Sequence, residues 1–364
     1  MLPVRPALIH DIMSGRRRGP AAAALRAALR VLEFPYRAII ALRNRLYDAG
    51  WLRQTRLEAP VISVGNITVG GTGKTPVVQW LARRLAAEGC RPAVLMRGYK
   101  RAGPASLSDE QDMLAEALPG MVVHADADRV RGGREILRRH PDVTHIILDD
   151  GFQHRRLARD FDLVLIDATC PFGYGHLLPR GLLREPPAAL RRADAIVITR
   201  CDRLGTDELR ALAERLRAIN HAAPVYRCRH TAGGLRSAHR SAADEPDVPL
   251  EALKSRRYFI CAGVGNPLAL AQQAASLPGV CVGQWWLGDH HAYTATDLME
   301  LRRRAAGADA IIVTEKDWRK IRLLPGAGDD PPIWRLDLRL EFEPPAEPGL
   351  VQLIVARTER ARSV

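Results

Sequence analysis

The stretch Val61-Ile-Ser-Val-Gly-Asn-Ile-Thr-Val-Gly-Gly-Thr-Gly-Lys-Thr75 constrains the fold more than any other part of the chain. A β-branched run from Val61 to Val64 gives way to glycines. Apolar residues then recur at helical spacing: Val77, Val78, Trp80, Leu81 and Leu85. This order predicts a strand, a glycine loop and a helix, the context of a phosphate-binding loop. Gly70, Gly71 and Gly73 lack Cβ atoms, so backbone N–H groups can turn inward. Together with the helix N-terminus, the segment Thr68, Val69, Gly70, Gly71, Thr72, Gly73 then forms an anion nest. Lys74 follows where an amine reaches β- and γ-phosphates, and Thr75 where a hydroxyl ligates Mg²⁺. The general pattern G-x-x-x-x-G-K-[ST] has a glycine where this chain has Thr68. The alternative is a glycine-rich turn that binds nothing.

At 364 residues the chain is long for one domain and comfortable for two. A hydrophobic content of 47% supports real cores. Cys90, Cys170, Cys201, Cys228, Cys261 and Cys281 show no C-x-x-C spacing. Neither a disulfide framework nor a cysteine zinc site is expected, and a reducing compartment fits. A net charge of +13 implies an anionic partner: nucleic acid, anionic lipid or a phosphorylated substrate. The cations are mostly Arg, which suits planar phosphate contacts, although GC-rich coding also enriches Arg. No aromatic-basic RNA signature is present, so no nucleic acid partner is expected.

Arg16-Arg17-Arg18 is followed by no long apolar run, so no signal peptide is expected. Arginines interrupt every candidate membrane span. Ala21–Arg30 reads as a short helix, Pro35 as a break, and Tyr36–Trp51 as a second helix. On that helix Tyr36, Ile39, Ile40, Leu42, Leu46 and Tyr47 share one face. Arg37, Asn44, Arg45 and Asp48 fall on the other, with Arg43 on the apolar side. Such a face lies in a membrane interface or packs on its own domain, and both readings stay open.

Downstream, strands and helices alternate. Ala93–Met96, Met121–His124, His145–Leu148, Asp162–Ile166 and Ala195–Thr199 read as strands, with helices at Asp109–Leu118 and Arg129–Arg139. Near-continuous apolar strands in β-α alternation predict an α/β fold with a doubly wound, mostly parallel sheet. Past Val225 the character changes. Val225–His230 and Trp334–Leu340 read as two crossing strands that pair as a linker. Between them Arg257–Cys261, Cys281–Leu287 and Ala310–Thr314, with a helix at Thr296–Ala306, predict a second, smaller α/β domain. The expected division is 1–58 helical and basic, 59–224 phosphate-loop domain, 225–256 linker, 257–332 smaller domain, and 333–364 return strand with C-terminal helix.

Asp149 and Asp150 end an apolar strand, the position of an acid that holds Mg²⁺; helix capping is the alternative. Asp109-Glu110 opens a helix, where first-turn acids are also favoured by the dipole. Arg180-Gly-Leu-Leu-Arg184-Glu185-Pro186 offers two cations and an acid for solvation, phosphate or Mg²⁺. Asp289-His290-His291 suits metal binding, acid–base work or a plain polar loop.

Together these strings resemble one family: tetraacyldisaccharide 4'-kinase, the lipid A 4'-kinase of Gram-negative bacteria. The resemblance is carried in order by Val64–Pro76, Arg97-Gly-Tyr-Lys-Arg101, Asp109-Glu110, Asp149–His154, Leu178–Pro186, Asp289–His291 and Thr314-Glu-Lys-Asp317. The family shares the Thr68 variant. The resemblance implies a P-loop NTPase-like fold, ATP, Mg²⁺, and an acylated glucosamine disaccharide 1-phosphate whose 4'-hydroxyl takes the γ-phosphoryl group. It assigns Lys74 and Thr75 to phosphates and Mg²⁺, and Asp149, Asp150 and Glu185 to the surroundings of the metal. It suggests Asp109 as base, supported by His290, which closure of the smaller domain would bring in. Arg97, Tyr99, Arg101 and Arg184 are expected substrate contacts. Peripheral attachment to an anionic lipid surface, at the cytoplasmic face of the inner membrane, is expected to follow. A regulatory NTPase of the deviant Walker type is the alternative, although it carries Lys where this chain has Val69. A GTP-binding switch is disfavoured by the missing D-x-x-G.

Overall fold

The computed structural model describes residues 11–98, 106–237, 248–263, 274, 277–288, 291–343 and 346–362; the side chains of 106–110, 346–347 and 361–362 fall outside that description. The chain divides into two units. One comprises Met1–Arg229 and Phe342–Val364, the other His230–Glu341. Both divisions fall inside strands, because the chain crosses over in extended conformation each time.

In the larger unit the elements run α1 (Pro20–Asp48), β1 (Val61–Asn66), α2 (Lys74–Ala87), β2 (Pro92–Met96), α3 (Ser106–Ala117), β3 (Val122–Ala125), α4 (Arg129–Arg139), β4 (His145–Asp149), β5 (Phe161–Asp167), β6 (Ala195–Thr199), α5 (Thr206–Ile219) and the start of β7 (Val225–Ser237). The strand order is β3-β2-β4-β1-β5-β6-β7. Every registered pair is parallel. All residues of β1, β2 and β6 are buried. A strand covered on both faces has no use for alternation, which is why these segments read as unbroken apolar runs. The chain winds outward from β1 to β3, returns to β4 beside β1, then crosses to β5 on its other flank. The crevice at the C-terminal end of β1 is therefore the switch point where such sheets bind ligands.

The smaller unit continues with β8 (Arg257–Gly263), β9 (Val280–Leu287), α6 (Ala295–Arg304), β10 (Ala310–Val313), α7 (Glu315–Ile321) and β11 (Ile333–Phe342). Its order is β7-β11-β10-β8-β9, with parallel pairing of β11, β10, β8 and β9. Alternate residues feed two cores: Phe259, Cys261, Ile311 and Val313 one face, Tyr258, Ile260, Ala310 and Ile312 the other. Helix α8 (Ala346–Arg362) follows the return strand.

The expected break at Pro35 is overturned. Helix α1 runs unbroken for 29 residues with Pro35 inside it. Pro35 deprives the Val31 carbonyl of its N–H partner, but Val31 lies on the exposed side of the helix. Tertiary contacts on both sides of the proline pin the helix: Glu33 Oε1 accepts from the Leu177 N–H at 3.0 Å, and Tyr36 Oη donates to the Arg184 carbonyl at 3.0 Å. The expected facing is also corrected at Asn44, which turns inward to Glu185. Arg43 keeps to the half-buried side with Tyr36 and Tyr47, where it donates to the Gln153 carbonyl at 2.6 Å.

Candidate active site

The loop after β1 is built by its neighbours. Asn66 Nδ2 donates to Thr68 Oγ1 at 3.3 Å and to Thr72 Oγ1 at 2.9 Å. The Thr68 hydroxyl thus holds the loop in a way a glycine cannot. The Val69 N–H donates to the Leu182 carbonyl, and the Arg184 N–H to the Ile67 carbonyl, each at 2.8 Å. From the β6 end, Thr199 Oγ1 donates to the Thr72 carbonyl at 3.1 Å and Arg200 Nη2 to the Gly71 carbonyl at 2.8 Å. Arg200 is itself paired with Asp167 at the end of β5. Gly70 and Gly73 have φ of 115° and 80°, the left-handed region that side chains rarely enter. Gly73 precedes α2 and supplies no side-chain cap, which leaves the first-turn N–H groups available to an anion.

Lys74 Nζ lies 3.5 Å from Asp150 Oδ1. Arg184 Nη1 lies 3.0 Å and 2.8 Å from the two oxygens of the same carboxylate. Burial alone would raise the Asp150 pKa; the charges of Lys74 and Arg184 outweigh it and hold the carboxyl below its ordinary value. Asp150 sits at φ 56°, a conformation a non-glycine residue keeps only when its surroundings enforce it. Asp149, the last residue of β4, is half-buried beside it. Arg129, buried at the start of α4, has its pKa lowered by burial and raised in part by the charges of Asp149 and Asp150.

Glu185 is fully buried. Its oxygens accept from Arg192 at 2.9 Å and 3.0 Å, from Asn44 at 2.7 Å and from Gln153 at 3.1 Å. The Arg192 guanidinium also stacks over Phe152 at 4.4 Å. Burial pushes the Glu185 pKa up, and Arg192 with the two amides pulls it below the ordinary value. Both oxygens are therefore engaged by donors of this chain, and Glu185 ties α1, the Asp149–His154 turn and Arg192 together.

Of the residues singled out in the sequence, the structure brings together Thr68, Val69, Gly70, Gly71, Thr72, Gly73, Lys74, Thr75, Asp149, Asp150, Arg184 and Glu185 around the end of β1. Arg97 follows β2 and is exposed. Tyr99, Arg101 and His290 lie outside the described residues. Asp109 belongs to the first turn of α3, and its side chain also lies outside them. In the smaller unit His291 stands 3.3 Å from Asp297 and edge-on to Tyr293, with ring centroids 5.0 Å apart. Asp317, of the Thr314–Asp317 string, is buried and accepts from the Gly263 N–H and Tyr293 Oη, each at 3.0 Å.

Sequence reasoning missed Asn44, Arg129, Gln153, Arg192 and Arg200. The signal for Arg200 was its place one residue past the β6 end, which only the strand order turns into a neighbour of the loop.

The sequence model of tetraacyldisaccharide-1-P 4'-kinases matches residues 25–358. This chain belongs to that kinase family. Among curated relatives, the tetraacyldisaccharide 4'-kinase of Anaeromyxobacter dehalogenans strain 2CP-C is 39% identical over 345 residues, covering 89% of each chain. That of Geobacter sulfurreducens is 38% identical over 345 residues, covering 87% of this chain and 91% of its own. Among solved structures, the LpxK kinase from Aquifex aeolicus in complex with ATP has a TM-score of 0.72 and 29% identity, covering 92% of this chain and 99% of that one. The family resemblance read from the motifs and the α/β fold with a large, mostly parallel sheet are both met.

Proposed function

We propose that this kinase transfers the γ-phosphoryl group of ATP to the 4'-hydroxyl of a tetraacyldisaccharide 1-phosphate, at the inner membrane surface. The observation that carries the reading is the Lys74–Asp150–Arg184 cluster beside a glycine loop at the switch point of the sheet. The loop N–H groups and Lys74 would hold the phosphates. Phosphoryl transfer asks the protein for positioning and charge neutralisation more than for covalent chemistry.

The donors at this end of the sheet suit Mg²⁺. They are hard oxygens: the Thr75 hydroxyl and the carboxylates of Asp149 and Asp150. Among the described residues, no group of three or more His, Cys, Asp or Glu is arranged to hold a metal. Mg²⁺ does not need one, since it takes one or two carboxylates and completes its shell with water and phosphate oxygens. When bound, it supplies charge neutralisation at the β- and γ-phosphates. Glu185, expected near the metal, is proposed to hold the site together through its engaged oxygens. Arg184 stands against Asp150 through Nη1 and stays a proposed substrate contact. Asp109 is proposed as the base that takes the 4'-hydroxyl proton, with His290 in support. Arg97, Tyr99 and Arg101 are proposed contacts to the sugar or its 1-phosphate.

The substrate's acyl chains keep it in a bilayer, so the kinase must come to it. Among the described residues no helix is long and apolar enough to cross a membrane. Helix α1 instead leaves Leu25, Val31, Leu32, Phe34, Ile39 and Leu42 exposed. An exposed apolar stripe on a strongly basic chain fits adhesion to an anionic leaflet.

The test is transfer of label from γ-labelled ATP to tetraacyldisaccharide 1-phosphate in mixed micelles. Labelled lipid from the wild type, with none from Lys74→Ala or Asp109→Ala, is the expected result. Mg²⁺-dependent ATP hydrolysis without lipid labelling would replace the lipid kinase by a regulatory NTPase.

A further inference from the structure

A continuous run of polar contacts leads from helix α1 to the lysine of the phosphate loop. Asn44 Nδ2 donates to Glu185 Oε2 at 2.7 Å. Glu185 Oε1 accepts from Gln153 Nε2 at 3.1 Å, and that amide also donates to the Asn66 carbonyl at 2.8 Å. Gln153 Oε1 accepts from Arg184 Nη1 at 3.3 Å. Arg184 Nη1 holds both oxygens of Asp150, which faces Lys74 Nζ at 3.5 Å. Every side chain on this path is buried or half-buried, where hydrogen bonds are strong and rotamers few.

The partners of Glu185 divide the work. Arg192 neutralises its charge, and Gln153 carries its position to the Asp149–His154 turn. Asn44 is the partner supplied by α1. The helix does not depend on Asn44 for its place. Glu33, Tyr36 and Arg43 fix it to the backbone of Leu177, Arg184 and Gln153. Asn44 instead fixes a side chain. Asparagine is a weak helix former, so its use just before the last turn of α1 brings the helix no intrinsic gain.

We propose that Asn44 is a positioning residue for phosphoryl transfer, acting through Glu185 and Gln153 on the Arg184–Asp150–Lys74 geometry. This rests on the reading of Lys74 and Asp150 as phosphate and Mg²⁺ groups. It makes the membrane-facing helix part of the catalytic scaffold.

The experiment measures lipid phosphorylation in mixed micelles by the full chain and by Asn44→Ala, Asn44→Asp and Lys74→Ala. Asn44→Ala is expected to lower kcat about tenfold, the usual effect of loosening a group that orients a ligand, with KM for ATP unchanged. Asn44→Asp removes the donor and sets a second carboxylate against Glu185, so its kcat is expected to fall at least as far as that of Asn44→Ala. Loss confined to kcat, with KM for ATP and the melting temperature kept, separates positioning from misfolding. Wild-type kcat in Asn44→Ala would overturn the role. Wild-type transfer by Lys74→Ala would overturn the reading of the site itself, and the two failures are thereby told apart.

Discussion

Arg184 and Asp150 form a two-pronged contact through one nitrogen: Nη1 of the arginine lies 2.8 Å and 3.0 Å from the two carboxylate oxygens. Lys74 takes the remaining approach at 3.5 Å. The acid at the end of the central crevice is thus held by one cation from the phosphate loop and one from the strip of chain that pairs with it.

That arrangement has a pH signature. The Asp150 carboxyl is raised by burial and lowered further by Lys74 and Arg184, so its folded value lies below the unfolded one. Its stabilisation is complete above the unfolded value of about 3.9 and is lost as the pH falls through the folded value. Asp150→Asn is expected to cost about 1–3 kcal/mol at pH 7, because two cations lose their partner. Urea titrations should show the gap to wild type closing below about pH 4.

His154 predicts the opposite group's behaviour. Burial, aided by the charge of Arg129, pushes its imidazole down to about 4, so it is neutral at pH 7. The unfolded chain, with a pKa of about 6.5, binds more protons between those values, so stability rises with pH across that window. After discounting for partial solvent screening the gain is roughly 2 kcal/mol. His154→Gln should flatten the stability curve between pH 4 and pH 6.5. An imidazole titrating near 6.5 by NMR in the folded protein would contradict the assignment.

Gly65, the penultimate residue of β1, lies against the Asp149–His154 turn. A Cβ there would meet Phe152 Cβ at 2.6 Å and its N–H nitrogen at 2.8 Å. Neither is the end of a flexible side chain, so the turn itself must shift. Gly65→Ala should lower stability by about 1–3 kcal/mol and weaken ATP binding, read by thermal melting and by nucleotide titration.

The outer face of α1 predicts vesicle binding. Phe34 and Ile39 are 67% and 64% exposed. Burying each in a lipid interface is worth about 1.5–3 kcal/mol, so Phe34→Ser with Ile39→Ser should weaken binding to anionic vesicles by at least about a hundredfold. ATP titration should be unaffected. Co-sedimentation equal to wild type would remove α1 as the lipid contact.

Much of this was legible because buried parallel strands advertise themselves. Val61–Val64, Ile146–Leu148 and Ile196–Ile198 have no polar face to blur, and the glycines after Asn66 have few other uses. What stayed hidden depended on contacts between distant segments. Pro35 reads as a break unless Glu33 and Tyr36 are known to be anchored on either side of it. Asn44 reads as solvent-facing because facing arithmetic sets it opposite the apolar side, yet α1 half-buries it along with Tyr36, Ile40 and Tyr47. Arg200 and Arg192 are single cations among many until strand order and burial set one at the loop and the other against Glu185. The side chains of Asp109 and His290 lie outside the described residues, so their roles stand on resemblance.

Helix α1 hides a glutamate, 4% exposed, and shows hydrocarbon to its surroundings. A protein engineer seeking a better-behaved sample would be tempted to delete it as an anchor. Deletion would also strip partners from Gln153, Arg184 and Glu185, and expose backbone carbonyls that the helix now satisfies. Solubility in this chain has to be gained by repainting the helix's outer surface, because its inner surface is part of the enzyme.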